Sequence, residues 1–470
     1  MKKNIIFILL ILIFLSGCML GPHYQRPVVT APTAFRYDSL MADTVLNLKW
    51  WELFKDEQLQ KLIHTALEEN KDVLTAAARI EEARAVVGYN KADLYPSFGY
   101  RADASRTNLL GNQTGDPTNT FFIAPGLSWE IDFWGKYRRS TEAARADLLS
   151  TQFGHRTIQL ALISEVVSTY FLLLDYDARL EISKQTLESR KESVWIIQQR
   201  FDKGIVPEID LNQAEIQEAI AAASVPYYER NAAQTENALS ILLGHNPGPV
   251  ERDHSLIDQI LPPDIPAGLP SELLLRRPDV LQAEQTLAAQ NAMIGVAQAQ
   301  RLPSISLTGF LGLASPELSS VVSGDAVAWS MSAGLLGPIF NFGKNKRRVE
   351  IEKQRMIQDS LQYIQTALEA FRDVEDALVE ISTYNHETQA RFRQRDAAKN
   401  ANMLSKERYD GGVTSYLEVL ESQRSLFDAA LSASETYQKQ LNAFVKLYKA
   451  LGGGWITEGE LIEAKNASDK

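Results

Sequence analysis

From Asp56 to about Leu94, apolar residues recur at three- and four-residue spacing: Leu59, Leu62, Ile63, Leu67, Leu74, Ala78 and Ile80. That spacing predicts a helix, and Pro96 stops it. The period then changes to two. Phe98, Tyr100, Ala102 and Ala104 alternate with Gly99, Arg101, Asp103 and Ser105. Phe121, Ile123, Leu127, Trp129, Ile131 and Phe133 alternate with Ala124, Gly126, Ser128, Glu130 and Asp132. These are two strands, and the Gly/Asn/Thr/Pro-rich stretch 110–119 between them is a long exposed loop. Lys136 to Phe201 then runs without proline. At about 1.5 Å per residue, roughly 65 residues reach on the order of 100 Å, far beyond an ordinary globular helix. A tight turn and a further helix follow, with Pro226 placed to bend the latter.

The chain then repeats itself after about 208 residues. Arg200-Phe201-Asp202-Lys203-Gly204-Ile205 returns as Arg408-Tyr409-Asp410-Gly411-Gly412-Val413. Trp134-Gly135-Lys136 returns as Phe342-Gly343-Lys344, and Tyr95-Pro96-Ser97-Phe98 as Leu302-Pro303-Ser304-Ile305. Leu239, Leu243 and Gly244 return as Leu447, Leu451 and Gly452. The second strand pair puts Ile305, Leu307, Gly309, Leu311 and Leu313 opposite Ser304, Ser306, Thr308, Phe310 and Gly312. It then puts Trp329, Met331, Ala333, Leu335 and Ile339 opposite Ser330, Ser332, Gly334 and Leu336. Gly334 and Gly337 read as bends of a barrel strand. Lys344 to Tyr409 is a second long helix, and helices of this length imply a coiled-coil-like bundle.

Each strand pair has one apolar, aromatic face and one small or polar face. A soluble sheet shows this pattern with its apolar face on a core. A membrane barrel shows it with that face on lipid. Four strands cannot close a barrel, for which about eight is the practical minimum, so the lipid reading requires several chains to share one.

The ends add a location. Lys2 and Lys3 precede an apolar run from Ile5 to Leu15, too short to span a bilayer and followed by Leu15-Ser16-Gly17-Cys18. This resembles the bacterial lipobox and implies a signal peptide over residues 1–17 and a lipid-bearing Cys18. Met19 follows, where an Asp would favour inner-membrane retention, so the outer membrane is expected. Cys18 is the only cysteine, so stability rests on core and assembly rather than disulfides. Beyond Leu15 no apolar stretch of spanning length stands out, and the richest, Ile158 to Leu174, is interrupted by Ser164, Glu165, Ser168 and Thr169. Asp and Glu number 59 against 48 Lys and Arg, without a basic run that tracks aromatics, so nucleic-acid binding is not expected.

Three segments carry a family resemblance: Gly21-Pro22-His23-Tyr24-Gln25-Arg26-Pro27, Leu275-Arg276-Arg277-Pro278-Asp279-Val280 and Leu451-Gly452-Gly453-Gly454-Trp455. In this order, on a duplicated frame, they resemble the TolC-like outer-membrane efflux family, in particular its lipoprotein branch that serves resistance–nodulation–division pumps. The fold class expected is mainly α with membrane β. The resemblance implies a homotrimer, with an α-barrel continuous with a twelve-stranded β-barrel to which each chain gives four strands. The expected organisation is a signal peptide (1–17), a lipidated extended arm (18–50), a first repeat (51–244), a Pro-rich linker (245–270), a second repeat (271–452) and a tail (453–470). It also implies an outer-membrane duct that passes small-molecule cargo delivered by an inner-membrane pump and a periplasmic adaptor.

Both long helices end at glycine turns, and Asp202, Gly204 and Asp210 of the first copy with Gly411 and Gly412 of the second form the periplasmic tip in this frame. The resemblance places Tyr409, Asp410, Thr414, Glu418 and Glu421 at the closed aperture. Glu418 and Glu421 are three apart and share a helix face. Carboxylates gathered on one axis repel one another and favour cations. Relatives often carry a basic residue near Thr414 that helps latch the turn, and this chain has none there. A solvated acidic helix face is the plain alternative for all these acids.

Six histidines are scattered without paired ligand spacing, so no metal site is expected. No phosphate loop or nucleophile–histidine pair stands out, and neither an enzyme nor a cofactor beyond the covalent lipid is expected. The rival reading is a lipid-anchored periplasmic coiled-coil tether without channel activity, which has no need of the strand pairs.

Overall fold

The structure is a computed structural model and describes residues 18–37, 54–108, 117–262, 270–322 and 326–453. The signal-peptide reading, the remainder of the arm, part of the linker and the tail beyond Gly453 lie outside the described residues. The elements in order are α1 (Glu57–Glu69), α2 (Lys71–Ala92), β1 (Ser97–Thr107), β2 (Thr118–Ile131), α3 (Lys136–Asp202), α4 (Glu208–Leu242), α5 (Pro270–Arg276), α6 (Pro278–Ala299), β3 (Ser304–Ser315), β4 (Val327–Leu336), α7 (Lys344–Asp410) and α8 (Tyr416–Ala450). Repeat partners match in length: α3 and α7 have 67 residues each, α4 and α8 have 35, and α2 and α6 have 22.

The single helix expected from Asp56 to Leu94 is two. Asn70 takes an extended conformation between α1 and α2. Its Oδ1 accepts from the N–H groups of Asp72 and Val73, and its Nδ2 donates to Leu242 O at 2.9 Å. A side chain that caps the next helix while bonding a distant carbonyl overrides the continuous apolar period. Pro226, by contrast, lies inside an uninterrupted α4.

The chain divides into two compact units. The first contains the N-terminal arm to Val28, residues 79–152 and residues 282–364. It holds a four-stranded antiparallel sheet in the order β1-β2-β3-β4, so β1 and β4 are its free edges. Register is fixed by side-chain contacts on one face. Ser97 and Ser128 hydroxyls lie 2.7 Å apart, Ser128 pairs with Thr308, and the Thr308 and Ser332 hydroxyls lie 2.7 Å apart. The other face carries Phe98, Tyr100, Trp329, Met331 and Leu335, all strongly exposed in the single chain. Gly334 lies within β4, and Gly337 just beyond it.

The arm is fastened along this unit. Leu20 N–H donates to Trp134 O, and Arg139, almost fully buried, donates to the carbonyls of Leu20 and Gly21. Asn291 Nδ2 donates to Pro22 O, and Arg26 forms a two-pronged ion pair with the buried Glu284.

The second unit contains residues 29–78, 153–281 and 365–470. Its core gathers Phe54, Leu59 and Ile63 with Ile163, Val166, Val167, Tyr170, Phe171, Leu239, Leu441 and Phe444. Each such side chain contributes about 1.5–3 kcal/mol by leaving water. The apolar part of α3 is long and apolar enough to cross a membrane by length and composition, against the sequence reading. Val166, Val167, Tyr170 and Phe171 are fully buried in this core, so the apolar stretch is a core helix. Asp56, 1% exposed, accepts from Leu59 N–H, from Tyr170 OH and from Gln259 Nε2. The Pro-rich connection is thereby tied into the core, and Arg252 adds ion pairs to Asp177 and Glu236.

Candidate functional site

The two long helices close with one geometry. Gly204 N–H donates to Phe201 O at 2.7 Å and Ile205 N–H to Arg200 O at 2.9 Å. In the second copy Gly412 N–H donates to Tyr409 O at 3.0 Å and Val413 N–H to Arg408 O at 2.9 Å. Both glycines have φ of 69°, the left-handed value that lets the last carbonyls of a helix find donors. Gly411 still belongs to the helical bonding, its N–H donating to Glu407 O.

A small core stands under the turns. Ile197, Leu211, Ala214, Tyr416, Val419 and Leu420 are buried there, with Val194, Phe201, Val206 and Tyr409 packed against them. The Tyr409 and Tyr416 rings have centroids 5.4 Å apart, and the Arg200 guanidinium sits 4.6 Å from the centre of the Tyr409 ring. Burial, then the neighbouring Tyr409 and Asp210, push the Tyr416 phenol up to about 12. A cavity of about 160 Å³ beside the turn is lined by Lys406, Tyr409, Asp410 and Tyr416 together with Glu192 and Ile196.

Around this core the second copy's acids are each met by an arginine. Asp410 Oδ1 lies 3.5 Å from Arg200 Nη2. Glu418 Oε1 lies 3.2 Å from Arg408 Nε, and the Thr414 hydroxyl donates to its Oε2. Glu421 Oε2 lies 2.6 Å from Arg424 Nη2. Exposed pairs of this kind contribute little to stability, but they set which charges face solvent. In the first copy Asp202 accepts from Gln198 Nε2 at 2.8 Å, and Asp210 opens α4 with its N–H on Pro207 O.

The structure therefore brings Tyr409, Asp410, Thr414 and Glu418 together at one turn, with Glu421 one helical turn further along α8. Sequence reasoning named the acids and missed Arg200, Arg408, Arg424 and Tyr416. The signal was present: Arg200 and Arg408 stand at the same place in the two copies, two residues before each turn aspartate. Arg408 also supplies the cation that the neighbourhood of Thr414 lacks. Cys18 is exposed at the start of the described arm. Among the described residues no group of three or more His, Cys, Asp or Glu side chains is placed to hold a metal ion.

The family model of the outer membrane efflux protein matches residues 62–245 and 269–453. The solvent efflux pump outer membrane protein SrpC of Pseudomonas putida is 37% identical over 460 residues, covering 94% of this chain and 97% of that protein. The cation efflux system protein CusC of Escherichia coli strain K12 is 33% identical over 446 residues, covering 94% and 97%. Among solved structures, the CmeC outer membrane channel of Campylobacter jejuni superposes with a TM-score of 0.88 at 29% identity, covering 96% of this chain and 98% of that one. The two matched segments coincide with the two copies of the repeat, and the chain belongs to the outer membrane efflux protein family.

Proposed function

We propose that this chain is the outer-membrane exit duct of a tripartite efflux system and that it works as a homotrimer. The observation that carries the reading is the sheet. It has two free edges and one continuous apolar face, and neither is stable in water as it stands. Edge-to-edge joining of three such sheets gives a closed barrel with the apolar face on lipid and the Ser/Thr/Gly face on water. The long helices supply the periplasmic wall, and the lipid on Cys18 adds a second hold on the membrane.

In this arrangement Asp202, Gly204, Asp210, Gly411 and Gly412 form the tip that meets the periplasmic adaptor and the inner-membrane pump. Tyr409, Asp410, Thr414, Glu418 and Glu421 line the aperture, with the arginines as intrachain clasps. The duct is passive, and the partner pump supplies energy. One relative is named for solvent efflux and another for cation efflux, so the shared frame provides a route rather than a cargo site.

The mass of the purified assembly in detergent tests the reading. A stable trimer that dissociates on heating supports it. A folded monomer at micromolar concentration contradicts it and favours the coiled-coil tether.

A further inference from the structure

The face of the sheet that carries the Ser97–Ser128 and Thr308–Ser332 contacts is small or polar along almost its whole length: Gly99, Arg101, Asp103, Ser105, Thr120, Ala124, Gly126, Ser306, Gly312, Ser330 and Gly334. Two aromatic residues interrupt it. Phe122 and Phe310 lie on adjacent strands of this face, and their rings meet edge to face with centroids 5.1 Å apart. The register shows how they reach one another. Phe122 pairs with Ala314 and Phe310 with Gly126, so small residues stand opposite both rings. Between them Ala124 is 2% exposed, and a Cβ at Gly312 would lie 2.3 Å from the Cβ of Ala124. The backbone is pared to glycine at that point. A buried alanine is unusual on a sheet whose neighbouring side chains are mostly exposed or half-exposed.

A sheet facing lipid on one side has its apolar demand met by that side. An edge-to-face aromatic pair on the opposite face is thus not explained by membrane insertion. We propose that Phe122 and Phe310 form an aromatic collar inside the bore, which narrows it and gives apolar and aromatic cargo a transient contact on its way out. The proposal rests on the trimeric duct reading, which makes this face the lumen and sets three such pairs around one axis. Aromatic rings interact edge to face or by stacking with aromatic solutes, and their faces attract organic cations. An apolar ring in a polar bore also disfavours water at that level and lowers ion flow.

The test is single-channel recording of the full-length protein in planar bilayers. Tetraphenylphosphonium is the aromatic probe, and tetraethylammonium carries the same charge without rings. The wild-type channel is expected to be blocked more strongly by tetraphenylphosphonium than by tetraethylammonium. The double variant Phe122→Ser with Phe310→Ser should lose that difference by about five- to tenfold, the scale of one or two aromatic contacts, and conduct more. Ser330→Ala, at the register partner of Phe310 on the same face, should change neither. Should the double variant not assemble, Phe122→Leu with Phe310→Leu keeps the apolar volume and removes only the rings. A conducting channel whose probe preference survives both substitutions overturns the collar and leaves the duct standing. A wild-type protein that inserts no channels overturns the duct reading and the collar with it.

Discussion

Arg408 Nε lies 3.2 Å from Glu418 Oε1, joining the last turn of one helix to the first turn of the next across the Gly412 turn. The same carboxylate takes the Thr414 hydroxyl. The clasp lies within one chain, so it rigidifies the turn whatever surrounds it. It also cancels a charge that would otherwise stand free beside the turn.

Two substitutions that break this clasp should therefore differ. Glu418→Ala removes the clasp and the charge, so open time rises and cation preference falls. Arg408→Gln removes the clasp and leaves a bare carboxylate, so open time rises and cation preference increases. Reversal potentials in asymmetric salt separate the two, and equal shifts in both variants would show that Glu418 is remote from the ion path.

Gly412→Ala and Gly244→Ala should separate backbone strain from crowding. At Gly412 φ is 69° and a Cβ would meet nothing within 4 Å, so the cost is that of the left-handed conformation alone, about 1–2 kcal/mol. At Gly244 φ is 78° and a Cβ would lie 2.4 Å from Glu69 O, so α1 must shift as well. Denaturation should show the larger loss at Gly244. In the proposed assembly the Gly412 turn meets the adaptor, so efflux activity should respond more to Gly412→Ala.

Asp56→Ala should cost about 2–4 kcal/mol. It removes a helix cap and leaves Tyr170 OH and Gln259 Nε2 without their acceptor inside the core. Asp56→Asn, which keeps one oxygen, should recover part of the loss in thermal unfolding.

Alkaline titration should show a buried phenol in the small core under the turns. The Tyr416 phenol is raised to about 12 from an ordinary value of 10.0. The folded state thus holds this proton where the unfolded state releases it. The contribution to stability is complete below pH 10, falls as pH rises from about 10 to 12, and is gone above. Tyr416→Phe should flatten that fall. Near pH 10 the folded wild-type protein and folded Tyr416→Phe should show nearly equal phenolate absorbance, whereas the unfolded wild-type protein should exceed the unfolded variant by the share of one tyrosine.

The alternation of Phe98, Tyr100, Trp329 and Met331 with small or polar residues made the strands legible, because a period of two survives without knowledge of the partners. The long helices were legible from the absence of proline between Lys136 and Phe201, and the turns from the repeated Asp-x-Gly. The break at Asn70 was not, since it depends on a carbonyl at Leu242, far away in sequence. The Arg200–Asp410 clasp was missed for the same reason, whereas Arg408–Glu418 and Arg424–Glu421 are ten and three residues apart and were within reach of the sequence. Arg200 reaches Asp410 across more than two hundred residues. The run at 158–174 read as too interrupted for a membrane span, and its apolar character found its use in the core of the second unit instead.

The current through the purified protein in a planar bilayer separates a duct from a tether most directly. A trimeric preparation should give discrete, ohmic, cation-preferring steps. A preparation that binds the membrane yet carries no current would contradict the duct and leave a tether in its place.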